Sequence, residues 1–121
     1  MNNNQIVRVA DNSGARFMKI IKILRKSPRG QAALGDIVIG SVQKINPAKR
    51  VKKGQILRAM LIRSAKFVDR FDGQYFRFQS SAVVIIDKNC NPKSTKIHGP
   101  TSREIRKLGF IRIISLSTLA I

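Results

Sequence analysis

Apolar residues in this chain arrive in short blocks rich in Val and Ile, each closed by Gly, Pro, Asn or Asp. The blocks run Ile6 to Ala10, Phe17 to Leu24, Asp36 to Ile45, Gln55 to Arg63, Gln74 to Phe78 and Ala82 to Asp87. Their length, β-branched content and close spacing predict strands in a small antiparallel sheet or barrel, not a parallel βαβ arrangement. No repeat or linker separates them, so one domain over residues 1–121 is expected. Residues 1–99 should form the β part and 100–121 a C-terminal helical segment.

Punctuation between the blocks has a chemical reading. Asp72-Gly73 lies between Val68 and Tyr75 as a hairpin turn would, with Gly supplying the positive φ of a type I′ loop. Asn12-Ser13-Gly14 separates the first two strands by similar chemistry, and Leu34-Gly35-Asp36 leads into the third. The pattern changes after Pro100, where Thr101 and Glu104 stand three apart as a capping box. A helix is expected through Arg103, Ile105, Arg106 and Leu108, stopping at Gly109. Phe110 to Ile121 carries only Arg112 as a charge and must pack on the barrel end or on a partner.

Charge changes the picture. The 24 Lys and Arg against 6 Asp and Glu give a formal charge of +18, spread over the whole chain. Such an excess repels itself in a compact particle unless an acidic polymer neutralises it, and nucleic acid is the commonest. The chain is not a disordered basic arm, because 43% of it is apolar and arranged in blocks. The single cysteine, Cys90, excludes an intramolecular disulfide and suits a reducing compartment. No apolar run reaches the roughly 20 residues of a membrane helix, and no membrane partner is expected. Residues 1–5 are polar and resemble neither a secretory nor an import leader. Abundant Ile, Lys and Asn suit an AT-rich coding genome, such as an organellar one.

Catalytic groups are sparse. His98 and Cys90 supply two of the four ligands zinc wants, and as a nucleophile and base they lack an orienting group. No metal or cofactor is expected. Asp11, Asp36, Asp69 and Asp72 read as turn and strand-start residues, and Gly30, Gly35 and Gly40 are too scattered to cradle phosphate. The basic residues cluster in loops, with Arg25, Lys26 and Arg29 in one and Lys49, Arg50, Lys52 and Lys53 in another. These are the expected phosphate contacts, extended along the hairpin by Arg63, Lys66, Arg70 and Arg77. With 6% aromatic residues and no Trp, recognition of folded RNA by shape and backbone fits better than base stacking.

Four segments in order carry a resemblance: Val9-Ala-Asp-Asn-Ser-Gly-Ala-Arg16, Val51-Lys-Lys-Gly54, Asp72-Gly73 followed by Arg77-Phe78, and Gly99-Pro-Thr-Ser-Arg-Glu-Ile-Arg106. Together they resemble the universal large-subunit ribosomal protein fourteen family, and Ile113-Ile-Ser-Leu116 resembles its C-terminal segment. The resemblance implies a mainly β fold: a small five-stranded antiparallel β-barrel with a projecting β-hairpin and short C-terminal helices. It implies a structural, non-enzymatic constituent of the large ribosomal subunit that binds large-subunit rRNA and neighbouring ribosomal proteins and bridges to small-subunit rRNA. Asn12, Ser13, Arg16 and the Lys49 to Lys53 loop become rRNA contacts by this resemblance, and Arg103 and Arg106 part of an intersubunit surface. Thr95, Lys96, Arg112 and Ser115 match the family's stretch facing silencing factors that block subunit joining. The expected location is the ribosome, mitochondrial on composition, with bacterial cytoplasm or plastid as the alternative. Two other classes stand beside this one. A free-standing β-barrel RNA-binding module would leave its partner steeply as salt rises, and an enzyme would require Cys90 or His98.

Overall fold

The apolar blocks become strands within one or two residues of the expected boundaries. The computed structural model describes residues 5–24, 34–46, 51–65, 68–69, 73–103, 105, 111–117 and 119–120. In chain order the strands are β1 (Ile6–Val9), β2 (Ala15–Ile23), β3 (Ile37–Ile45), β4 (Ile56–Arg63), β5 (Val68–Asp69), β6 (Tyr75–Phe76) and β7 (Ala82–Ile86). They are followed by β8 (Pro100–Thr101), a short helix α1 (Ile111–Leu116) and β9 (Leu119–Ala120).

Strands β1, β2, β3, β4 and β7 close a barrel in that order, as the resemblance implied. Four neighbouring pairs are antiparallel, and the closing pair, β1 with β7, is parallel. Arithmetic requires this: strand direction cannot alternate all the way round a ring with an odd number of members.

Period-two alternation fills the interior. Val7, Val9, Met18, Ile20, Val38, Val42, Leu57, Ala59, Leu61, Val83 and Ile85 form the buried cluster inside the barrel. Ile20 and Ile23 both join it although three residues apart, because a register shift between Ile20 and Lys22 absorbs the odd step and leaves Ile21 and Lys22 outside. Beneath this curve lies Gly40, where a Cβ would come within 2.5 Å of Met18 Cγ and 2.7 Å of the Lys19 carbonyl oxygen. Only glycine lets β2 and β3 approach so closely.

A second core lies outside the barrel wall. All five residues of β7 are buried, so this strand has no solvent face. Its outward residues Ala82, Val84 and Ile86 pack with Met60 and Ile62 of β4 and with Ile97, Ile105 and Ile113 from the C-terminal part of the chain. The apolar stretch around Ile113 is therefore packed, as expected, but on the barrel wall and not on the barrel end.

Three expectations need correction. The ribbon β5–β6 is a hairpin and Gly73 has φ +80°, yet Asp69 pairs with Tyr75, leaving residues 70–74 in the connection. This is too long for the two-residue type I′ loop. Thr101, expected only as a cap, lies in β8, which pairs with β9, and its hydroxyl donates to Ser117 Oγ (3.2 Å). Ile105 is helical, as expected, and its amide donates to the Ser102 carbonyl (3.3 Å). The C-terminal part is not purely helical either, since β8 and β9 form a small parallel sheet; Glu104 and residues 106–110 lie outside the described residues.

Candidate nucleic-acid interface

The first turn of the chain is built by its own side chains. Oδ1 of Asp11 accepts from the backbone amide (3.1 Å) and hydroxyl (2.6 Å) of Ser13, an Asx turn that folds the chain back toward β2. Oδ2 accepts from the buried Ile85 amide at 3.0 Å. The carboxylate thus continues the β1–β7 ladder after the backbone has left it, just beyond the Ala10 amide that donates to Val83. Asp11 is 6% exposed and structural, which agrees with its reading as a turn residue.

Asn12 ties this turn to a segment far along the chain. Its Oδ1 accepts from the Thr95 and Lys96 amides (3.3 Å each) and its Nδ2 donates to Thr95 Oγ1 (3.2 Å). The His98 amide donates to the Ala10 carbonyl (2.6 Å), completing the junction. Asn12 and Ser13 therefore use their side chains to shape the loop, while Thr95 and Lys96, which the sequence assigned to a different surface, lie beside it.

Next to this junction an open groove of about 420 Å³ is lined by Arg8, Val9, Asp11, Asn12, Gly14, Ala15, Arg16, Phe17, Asn46 and His98. Its charged rim is cationic, because Arg8 and Arg16 are exposed whereas Asp11 is buried and hydrogen-bonded. Phe17 pairs with Arg8 across β1–β2 and with Lys44 across β2–β3, and the Lys44 ammonium lies 5.6 Å from its ring centre. That ring, part of the groove lining, supports the Lys44 cation beside the groove.

The groove opens onto the outer face of β1–β4. These four strands hold seven Arg and Lys (Arg8, Arg16, Lys19, Lys22, Lys44, Arg58 and Arg63) and no Asp or Glu. All but the half-buried Arg63 are exposed. Lys22, Ile39 and Arg58 stand in one cross-strand row, and Ile6, Lys19, Ser41 and Ile56 in another. Cations so spaced on a rigid sheet suit the phosphates of a nucleic-acid backbone.

Other candidates fall around this face. Lys52 and Lys53 are exposed in the β3–β4 connection, where Gly54 takes φ +83°. Arg77 is exposed just after β6, and Arg103 and Arg112 are exposed in the C-terminal part. Arg25, Lys26, Arg29, Lys49, Arg50, Lys66, Arg70 and Arg106 lie outside the described residues. Cys90 packs on the second core at φ +63°, whereas His98 is exposed in the groove. Loop-centred reasoning missed Arg8, Lys19, Lys22, Lys44 and Arg58. Their signal was parity: Arg8 alternates with Val7 and Val9, Lys19 with Met18 and Ile20, and Arg58 with Leu57 and Ala59, so each must point outward.

Fold and surface together define a class: a small basic β-barrel whose open wall carries cations and no carboxylate on β1–β4. Residues 1–121 match the family model described as Ribosomal protein L14p/L23e. The chain is also 42% identical over 111 residues to the large ribosomal subunit protein uL14 of Petrotoga mobilis, covering 92% of this chain and 91% of that protein. The chain belongs to the ribosomal protein L14p/L23e family, and its role is that of a structural, non-enzymatic ribosomal constituent.

Proposed function

We propose that this protein is a structural constituent of the large ribosomal subunit that binds large-subunit rRNA through the β1–β4 outer face, the groove at Arg8 and Arg16, and the loops carrying Arg25, Lys26, Arg29, Lys49, Arg50, Lys52 and Lys53. The observation that carries this reading is the run of four strands with seven cations and no carboxylate. Asn12 and Ser13 act within it as positioning residues, and Arg63 and Arg77 extend the surface. Thr95 and Lys96, beside Asn12, together with Arg103, Arg106 and Arg112 serve contacts toward small-subunit rRNA in an intersubunit bridge and toward a silencing factor. Neighbouring large-subunit proteins complete the environment. A mitochondrial ribosome is favoured by the Ile-, Lys- and Asn-rich composition, with bacterial cytoplasm or plastid as the alternative.

Sedimentation tests this directly. The tagged chain is expected in the large-subunit peak of a gradient and should stay there through a high-salt wash, since many phosphate contacts act at once. Release at moderate salt would replace the reading with a free-standing RNA-binding module.

A further inference from the structure

Strand β4 contains a bulge whose position matters. Leu61 pairs with Val83, so regular pairing would set Ile62 opposite Ala82; a register shift sets Arg63 there instead. Ile62 remains in the outer core, and Arg63 is turned onto the outer face of the wall. Ala82 also pairs with Arg8 of β1 on its other side. The barrel closure thus creates a row of Arg8, Ala82 and Arg63, with the two arginines two strand spacings apart, about 10 Å, and only a methyl side chain between them.

Arg63 is held in an unusual setting. Its guanidinium lies against Gly99, where any Cβ would collide with it, and Gly99 has φ +81°. His98, the preceding residue, lines the groove together with Arg8. The Arg63 Nε is buried and has no hydrogen-bond partner among the described residues. Burial, and then the charge of Arg8, press its pKa below the usual arginine value. Two like charges therefore stand on one side of the closure, Arg8 lining the groove and Arg63 against Gly99, next to the groove residue His98, an arrangement that costs the free protein stability and that a shared anion would relieve.

We propose that Arg8 and Arg63, straddling Ala82 beside His98, form a discrete site for one phosphate group of an RNA backbone, held more deeply than the contacts on the open sheet. Guanidinium groups offer forked donors that suit phosphate oxygens, and two forks can hold one tetrahedral anion. A backbone phosphate fits better than a carboxylate of a protein neighbour, because Arg16 in the groove and Lys44 beside its Phe17 wall supply further cations, as a polyanion requires. The site rests on the RNA-binding reading and specifies one grip within it.

The test uses the full chain and inorganic phosphate, followed by thermal melting at constant ionic strength against chloride and acetate. Phosphate is expected to raise the Tm of the wild type and of a Lys88→Met control by several degrees more than that of Arg63→Met or Arg8→Met. General exclusion of phosphate from protein surfaces acts on every variant alike, so the difference isolates the site. In chloride, Arg63→Met should melt at or above the wild-type temperature. Should it fail to fold, Arg63→Lys serves, retaining charge without the fork and losing most of the phosphate-specific shift. Affinity for large-subunit rRNA should fall about tenfold in Arg63→Met. Equal phosphate shifts in wild type and variants would overturn the site, and an equal response to acetate would reassign it to a protein carboxylate. Failure of the wild type to join the large subunit would instead overturn the functional reading, leaving the phosphate difference to be judged by itself.

Discussion

The outer wall of this barrel is two surfaces built by one rule. On β1, β2 and β3, outward positions carry Arg8, Lys19, Lys22 and Lys44 and face solvent. On β7 and the second half of β4, outward positions carry Met60, Ile62, Ala82, Val84 and Ile86 and are buried under Ile97, Ile105 and Ile113. Alternation is the same on both sides; side-chain chemistry differs. The boundary falls within a single row, where Lys22, Ile39 and Arg58 are followed by buried Ile86. The difference teaches that the chain covers one half of its barrel itself and leaves the other half open and cationic. A five-stranded barrel has room for few interior side chains, and the second core supplies stability that the interior alone would lack.

Substitution at equivalent outward positions is the sharpest way to break this comparison. Val84→Asp places a carboxylate in the second core without a partner and is expected to cost upwards of about 3 kcal/mol in urea denaturation, or to prevent folding. Lys19→Asp, on the open half, should stay within about 0.5 kcal/mol of wild type. Equal losses would show that the two halves are not distinct. Asp11→Ala is expected to cost about 2–3 kcal/mol, because it orphans the buried Ile85 amide and frees the turn that anchors Asn12. Hydrogen exchange should then rise at Ile85 and at the Thr95 and Lys96 amides together; unchanged protection at Thr95 would separate turn from junction.

Smaller effects refine the picture. Gly40→Ala forces a methyl against the Lys19 carbonyl and the Met18 side chain, with an expected loss of about 1–3 kcal/mol by thermal or urea unfolding. Replacing Lys19, Lys22, Lys44 and Arg58 together by Gln should change stability least of all. The same variant should lower rRNA affinity and flatten its dependence on log salt by roughly 0.7 for each phosphate contact removed, taking the single-strand value. A salt slope identical to wild type would remove the sheet face from the interface and leave the loops.

Much of the fold could be read from residues alone. Val-Ile blocks and Gly-containing turns placed the barrel strands, because strand period and positive φ are local properties. The expected helix is present at Ile105, but the capping-box reading of Thr101 missed its pairing with a strand near the end of the chain and its hydroxyl contact to Ser117, both of which are long-range. The hairpin at Gly73 was correctly located and its loop type misread, since loop length is set by which residues pair across the ribbon. In the candidate interface, clustered loop cations drew attention and isolated strand cations did not, although parity already pointed Lys19 and Arg58 outward.

By itself, then, the sequence determined where the five barrel strands lie to within one or two residues, the +18 excess, and which of their positions share a side. These follow from backbone geometry and composition over a few residues. Tertiary structure decided which outward side remains open, which one the C-terminal part covers, that Asn12 holds Thr95, and that Arg63 stands opposite Arg8 across Ala82. Each of these depends on contacts between segments far apart in the chain, and barrel closure together with the register shifts in β2 and β4 sets the strand register.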